Sequence, residues 1–114
     1  MLVFDSNVLG RLSELIGPGE ARALLGELRA EIPLLRDAAR ARHADADHAG
    51  LGRVVHKLAS ASGVLGFPLL ADACREVERC CRSGETGALP PLWTAFETAC
   101  DTTLAAIDTE LGTH

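Results

Sequence analysis

The chain has 114 residues, a net charge of −5, 47% hydrophobic and 24% charged residues, which suits one domain around one core. Its apolar runs are only a few residues long, which excludes a membrane-spanning helix, and its Lys and Arg residues form no basic block that would mark a nucleic-acid face. The opening MLVFDSNVLG has neither the basic start nor the apolar stretch of a signal peptide, so the expected location is the cytoplasm.

Alanine, leucine, glutamate and arginine dominate, and all favour helix. Five amphipathic segments follow one another. The first covers about 6–16, with Val8, Leu9, Leu12, Leu15 and Ile16 on one face. Asp5 or Ser6 can cap it, and Gly17-Pro18 ends it. The second covers about 19–42, where Ala21, Leu24, Leu25, Leu28, Ile32, Leu35 and Ala39 recur at steps of three and four. Pro33 lies inside it, and a proline there removes a hydrogen bond, so a kink or a break is expected.

Residues 43–47, HADAD, read as a turn with cap candidates Asp45 and Asp47. The third helix then runs to about 64. Gly66 and Pro68 suit the junction to a fourth helix over about 67–82, with Leu69, Leu70, Ala73, Cys74, Val77, Cys80 and Cys81 as its stripe. Residues 83–88, SGETGA, form a loop. Pro90-Pro91 open the last helix, which runs to about 111 with Leu92, Phe96, Cys100, Leu104, Ile107 and Leu111 inward. No strand pattern competes. Short loops make sequential helices antiparallel neighbours. The expected fold is all-α: an up-down-up-down four-helix bundle with a short N-terminal helix, as a single domain over 1–114.

The four cysteines, Cys74, Cys80, Cys81 and Cys100, fall on apolar stripes and read as buried thiols. No short ligand pair such as CxxC is present, and His43 and His48 have no obvious counterpart, so no metal site is expected.

The third helix carries the unusual feature. The stretch AGLGRVVHKLASASGVLG, residues 49–66, has helical spacing yet holds Gly52 and Gly63, each costing a helix interior about 1 kcal/mol relative to alanine. On a helical wheel Leu51, Val54, Val55, Leu58, Ser62 and Leu65 form the core face, and His56 falls outside it. The strip through His56 reads Ala49, Gly52, His56, Ser60, Gly63, so every neighbour above and below the ring is small. Another protein's backbone can then approach the imidazole closely. An imidazole with an ordinary pKa near 6.5 is a competent nucleophile at neutral pH. Arg53 and Lys57 lie to one side and can offer charge to an anion on the ring. No carboxylate lies on this strip, and no second catalytic group is evident. A hydrolase or metal-dependent enzyme is therefore disfavoured.

The segment HKLASASGVLG, residues 56–66, resembles the signature of histidine-containing phosphotransfer domains, roughly H-x-[LI]-K-G-[SA]-[SA]-x-x-[LIV]-G. His56, Leu58, Ala61, Ser62, Leu65 and Gly66 match it. The start at 5–12, the long second helix and FPLLADACREVE extend the resemblance over most of the chain. The resemblance implies a phosphorelay carrier. His56 would accept a phosphoryl group from the aspartate of a response-regulator receiver domain and pass it on, the partner being such a receiver domain, a hybrid sensor histidine kinase, or both. It implies no nucleotide site and no cofactor of the chain's own, Mg²⁺ being held by the receiver partner. A monomer is expected, with Lys57, Arg53, Ser60, Gly52 and Gly63 around the phosphoryl group and the docked partner.

Two positions depart from the signature. The usual lysine three residues after the histidine is Ala59, and the usual glycine at the fourth is Ser60. The first removes a cation, which Arg53 or Lys57 would replace. The hydroxyl of Ser60 could bond the imidazole or the phosphoryl oxygens. The lost lysine also motivates a second reading: a non-catalytic module on the same fold that binds a receiver or kinase without transfer.

Overall fold

A computed structural model describes residues 1–112. It is helical, with no strand among the described residues. The elements are α1 (Ser6–Ile16), α2 (Pro18–Ala44), α3 (His48–Leu65), α4 (Pro68–Ser83) and α5 (Leu89–Leu111), with a 3₁₀ turn at Thr86–Ala88 before α5. The sequence boundaries agree to within a residue or two because local chemistry sets them. Asp5 accepts the Asn7 N–H at 3.0 Å and starts α1. Asp47 accepts the Gly50 N–H at 2.9 Å and starts α3. That bond, with the nearby Arg42 guanidinium, holds the Asp47 carboxyl below its usual range.

The long helices touch in a ring: α2 on α3, α3 on α4, α4 on α5, and α5 back on α2. The α3–α4 contact is the most extensive, and α1 lies across α2 and α3. One core runs through the ring. Leu25, Leu28 and Ile32 meet Leu51, Val55 and Leu58, then Leu70, Cys74 and Val77, then Phe96, Cys100 and Ile107, all buried. Each large side chain removed from water contributes about 1.5–3 kcal/mol. On the α2–α5 side, charges pair with one another: Arg29 with Asp108, Arg36 with Asp101, and Arg40 with Glu97.

Three expectations change. Helix α2 runs without a break through Pro33, with the buried Leu28, Ile32 and Ala39 holding it on the core to either side. The α1 face is narrower than its sequence pattern suggests. Val8, Leu9 and Leu12 are half-buried, but Leu15 is 83% and Ile16 40% exposed. Only α2 and α3 cover this helix, and its last turn leaves them uncovered where Gly17 turns the chain back. Three cysteines are buried, whereas Cys81 is only partly so. Burial pushes the Cys74 thiol well up and the Cys100 thiol up to about 11, so neither is a thiolate near neutrality.

The N-terminal arm fixes the α3–α4 joint. The Asp5 N–H donates to the Gly66 carbonyl at 2.7 Å, and the Leu69 N–H donates to the Leu2 carbonyl at 3.1 Å. Phe4 stacks on the buried Phe67 with ring centroids 4.9 Å apart. These contacts set how α4 leaves α3, and hence which α4 side chains reach the middle of α3.

Candidate functional site

His56 stands at the middle of α3 with its side chain 65% exposed. It is not alone. Its Nδ1 lies 2.8 Å from Oε2 of Glu78 on α4, and the Glu78 side chain is only 18% exposed. A carboxylate only accepts, so this contact assigns the ring proton to Nδ1. The lone pair is then on Nε2, the other ring nitrogen. The same Glu78 oxygen lies 3.1 Å from Nη2 of Arg82, one turn further along α4. Three groups from two helices thus form a chain: ring, carboxylate, guanidinium.

The expectation that no second group accompanies His56 is therefore wrong. No carboxylate lies on its own helix strip, but one arrives from α4. The sequence signal was there to find. On the α4 wheel Glu78 falls between Ala71 and Cys74, inside the buried arc. A carboxylate in such a position needs a partner.

The small residues of the strip divide between two tasks. A Cβ at Gly52 would sit 3.6 Å from Cys81 Cβ, and one at Gly63 would sit 3.3 Å from Arg75 Nη2. Both glycines thus border the α3–α4 seam as well as flanking the ring. A hollow of about 390 Å³ lies on the N-terminal side of the histidine, lined by His48, Gly52, Arg53, His56, Glu78 and Arg82 among others. A second hollow, on the C-terminal side, is bordered by Ser60, Gly63, Val64 and Arg75, with Asp5 and Val8 from the α1 end. Leu9 and Leu12 of α1 pack against the core instead, so Val8 rather than these two lies at this surface.

The other sequence-derived residues fall as follows. Arg53 is exposed and lines the first hollow with His56. Lys57 is exposed but does not line it. The Ser60 hydroxyl donates to the His56 backbone carbonyl at 3.2 Å, not to the imidazole. Ala59, where the signature has lysine, is buried. His43 stacks on Trp93 with centroids 4.3 Å apart, whereas His48 lies in the His56 hollow.

An exposed, oriented imidazole on a four-helix ring narrows the family considerably. The Hpt domain profile matches residues 19–110. The chain belongs to the Hpt domain family. Hpt domains serve histidine phosphotransfer in phosphorelays, where they interact with receiver domains and kinases. The fold agrees with a solved relative, the crystal structure of histidine-containing phosphotransfer protein B from Pseudomonas aeruginosa PAO1. That structure superposes with a TM-score of 0.88 over 96% of this chain and 95% of the other, at 24% identity. No curated protein matches the chain by sequence. Among the described residues no helix is long and apolar enough to cross a membrane.

Proposed function

We propose that this Hpt domain carries a phosphoryl group on His56 Nε2, taking it from a receiver-domain aspartyl phosphate and passing it to another. The observation that carries this reading is the His56–Glu78 pair. Nε2 attacks phosphorus in line, the N–P bond forms, and the acyl P–O bond breaks to leave the receiver's carboxylate. The Nδ1 proton stays, so the ring gains positive charge as the bond forms. Glu78 lies 2.8 Å from that nitrogen and stabilises the charge as it develops. The return step is the same path reversed. In this reading the four long helices run up-down-up-down, the domain acts as a monomer, and Mg²⁺ belongs to the receiver. A module that only binds would have no use for an oriented, exposed imidazole.

The deciding test is transfer to the purified protein from a panel of phosphorylated receiver domains. Acid-labile, base-stable label on His56 is expected. Binding to a receiver without label would instead establish the non-catalytic module.

Replacing Glu78 separates its two roles. Glu78→Leu removes both the acceptor and the charge, and the initial transfer rate should fall roughly ten- to a hundredfold. Glu78→Gln keeps an acceptor for Nδ1–H and should lose less. Nitrogen-15 spectra of the ring should show the Nδ1–H tautomer in the wild type and a tautomer mixture in Glu78→Leu. A wild-type rate in a folded Glu78→Leu would remove the carboxylate from the mechanism.

Docking can be tested without touching the histidine. At Gly63 a side chain first meets the far end of Arg75, which can swing away, so Gly63→Trp should fold normally. The indole would block the seam, and receiver affinity measured by calorimetry should fall by about tenfold or more. Unchanged affinity would place the docking surface elsewhere.

A further inference from the structure

Resting on the phosphocarrier reading, we infer that the hollow between α3 and α4 is the phosphoryl-holding subsite, and that Arg82, with Arg53, replaces the lysine missing at position 59. The need is electrostatic. A phosphoryl group on His56 brings negative charge close to the Glu78 carboxylate, and like charges in a part-buried site repel. A cation must offset both. Ala59 is buried and offers none. Arg75 borders the second hollow, on the other side of the ring. Arg79 lines neither hollow. Lys57 does not line the hollow.

Arg82 and Arg53 remain, and both line the hollow with His56. Arg82 is already tied to the Glu78 oxygen that meets the ring. Its side chain is 72% exposed, so it is free to reorient. A guanidinium has five donors in a planar fork, enough to keep Glu78 and still bind phosphoryl oxygens. It sits in the last turn of α4, where the helix dipole favours a cation. In the unphosphorylated state Arg82 screens Glu78. In the phosphorylated state it bridges carboxylate and phosphoryl, with Arg53 closing the α3 side.

The test uses the whole protein phosphorylated with phosphoramidate, whose P–N bond breaks with loss of ammonia as the histidine N–P bond forms. The phosphohistidine is followed by phosphorus-31 NMR across pH in wild type, Arg82→Gln, Arg82→Lys and Arg53→Gln. A bound guanidinium favours the phosphoryl dianion, so the phosphoryl titration should move to higher pH in Arg82→Gln. Arg82→Lys should recover part of that shift, and Arg53→Gln should show a smaller one. The share of label retained on His56 at equilibrium with a receiver should fall about tenfold in Arg82→Gln, the scale of one charge-assisted hydrogen bond. Phosphohistidine 56 with the same titration and partition in Arg82→Gln as in wild type would overturn this inference and leave the carrier reading intact. A wild type that takes no phosphoryl group on His56 from phosphoramidate or any receiver would overturn both.

Discussion

His56→Gln is expected to take no phosphoryl group from any receiver, while melting within a degree or two of wild type. An amide nitrogen has no available lone pair, so the nucleophile is removed outright rather than weakened. The fold should not respond, because the replaced ring is largely exposed and the glutamine amide can still donate to Glu78. Surface substitutions of this kind usually stay within about 0.5 kcal/mol. Transfer to equal amounts of folded wild type and variant checks both halves of the expectation, with circular dichroism as the control. The substitution also tests His48, which shares the hollow with His56. If label persisted in His56→Gln and mapped to His48, the acceptor would be the other imidazole of the same site. Label lost in His56→Gln and kept in His48→Gln assigns the chemistry to His56 alone.

The difference between these two histidines was partly legible in the sequence. His56 stood out because Gly52 and Gly63 flank it on one strip, and helices seldom accept such residues without cause. His48 had no such context, and only the folded chain places it in the same hollow. Helix ends were legible for a local reason. Caps such as Asp47 and Gly66 act within a few residues, so the sequence carries them whole. Glu78 was missed for the opposite reason. Its partner is 22 residues away on another helix, and an α4 stripe read only for its apolar residues passes over the carboxylate that falls inside it. The cation problem has the same origin. Wheel geometry on α3 proposes only α3 residues, Arg53 and Lys57, while Arg82 comes from α4. The seam is a tertiary feature, and one helix's pattern describes only half of it. Leu15 and Ile16 show the converse error. An apolar stripe states which face is apolar, not how far along the helix a neighbour covers it.

The joint that aligns the two halves of the site makes a strong stability prediction. Gly66→Ala is expected to cost about 2–4 kcal/mol, or roughly 10 °C in Tm for a domain of this size. Two causes add. Gly66 has φ of 89°, in the left-handed region where a side chain costs about 1–2 kcal/mol. A Cβ there would also lie 2.7 Å from the Asp5 carbonyl oxygen and 3.0 Å from Val8 Cβ. The oxygen is backbone and cannot rotate away, and the Asp5 N–H donates to Gly66's own carbonyl at 2.7 Å. Relieving the clash therefore means lifting the arm, with Phe4, from the α3–α4 junction. Gly26→Ala is the control, because nothing lies within 4 Å of its Cβ position inside α2. It should stabilise by about 0.5–1 kcal/mol. Urea unfolding of both variants reads the difference directly. If Gly66→Ala matched wild type, the arm would not be anchored at the joint, and the alignment of Glu78 with His56 would need another support. If it unfolded early, transfer by its folded fraction would show how far that alignment depends on the arm. A slowed rate with the Nδ1–H tautomer lost would tie the N-terminal residues to the chemistry at His56 through the one helix pair they hold together.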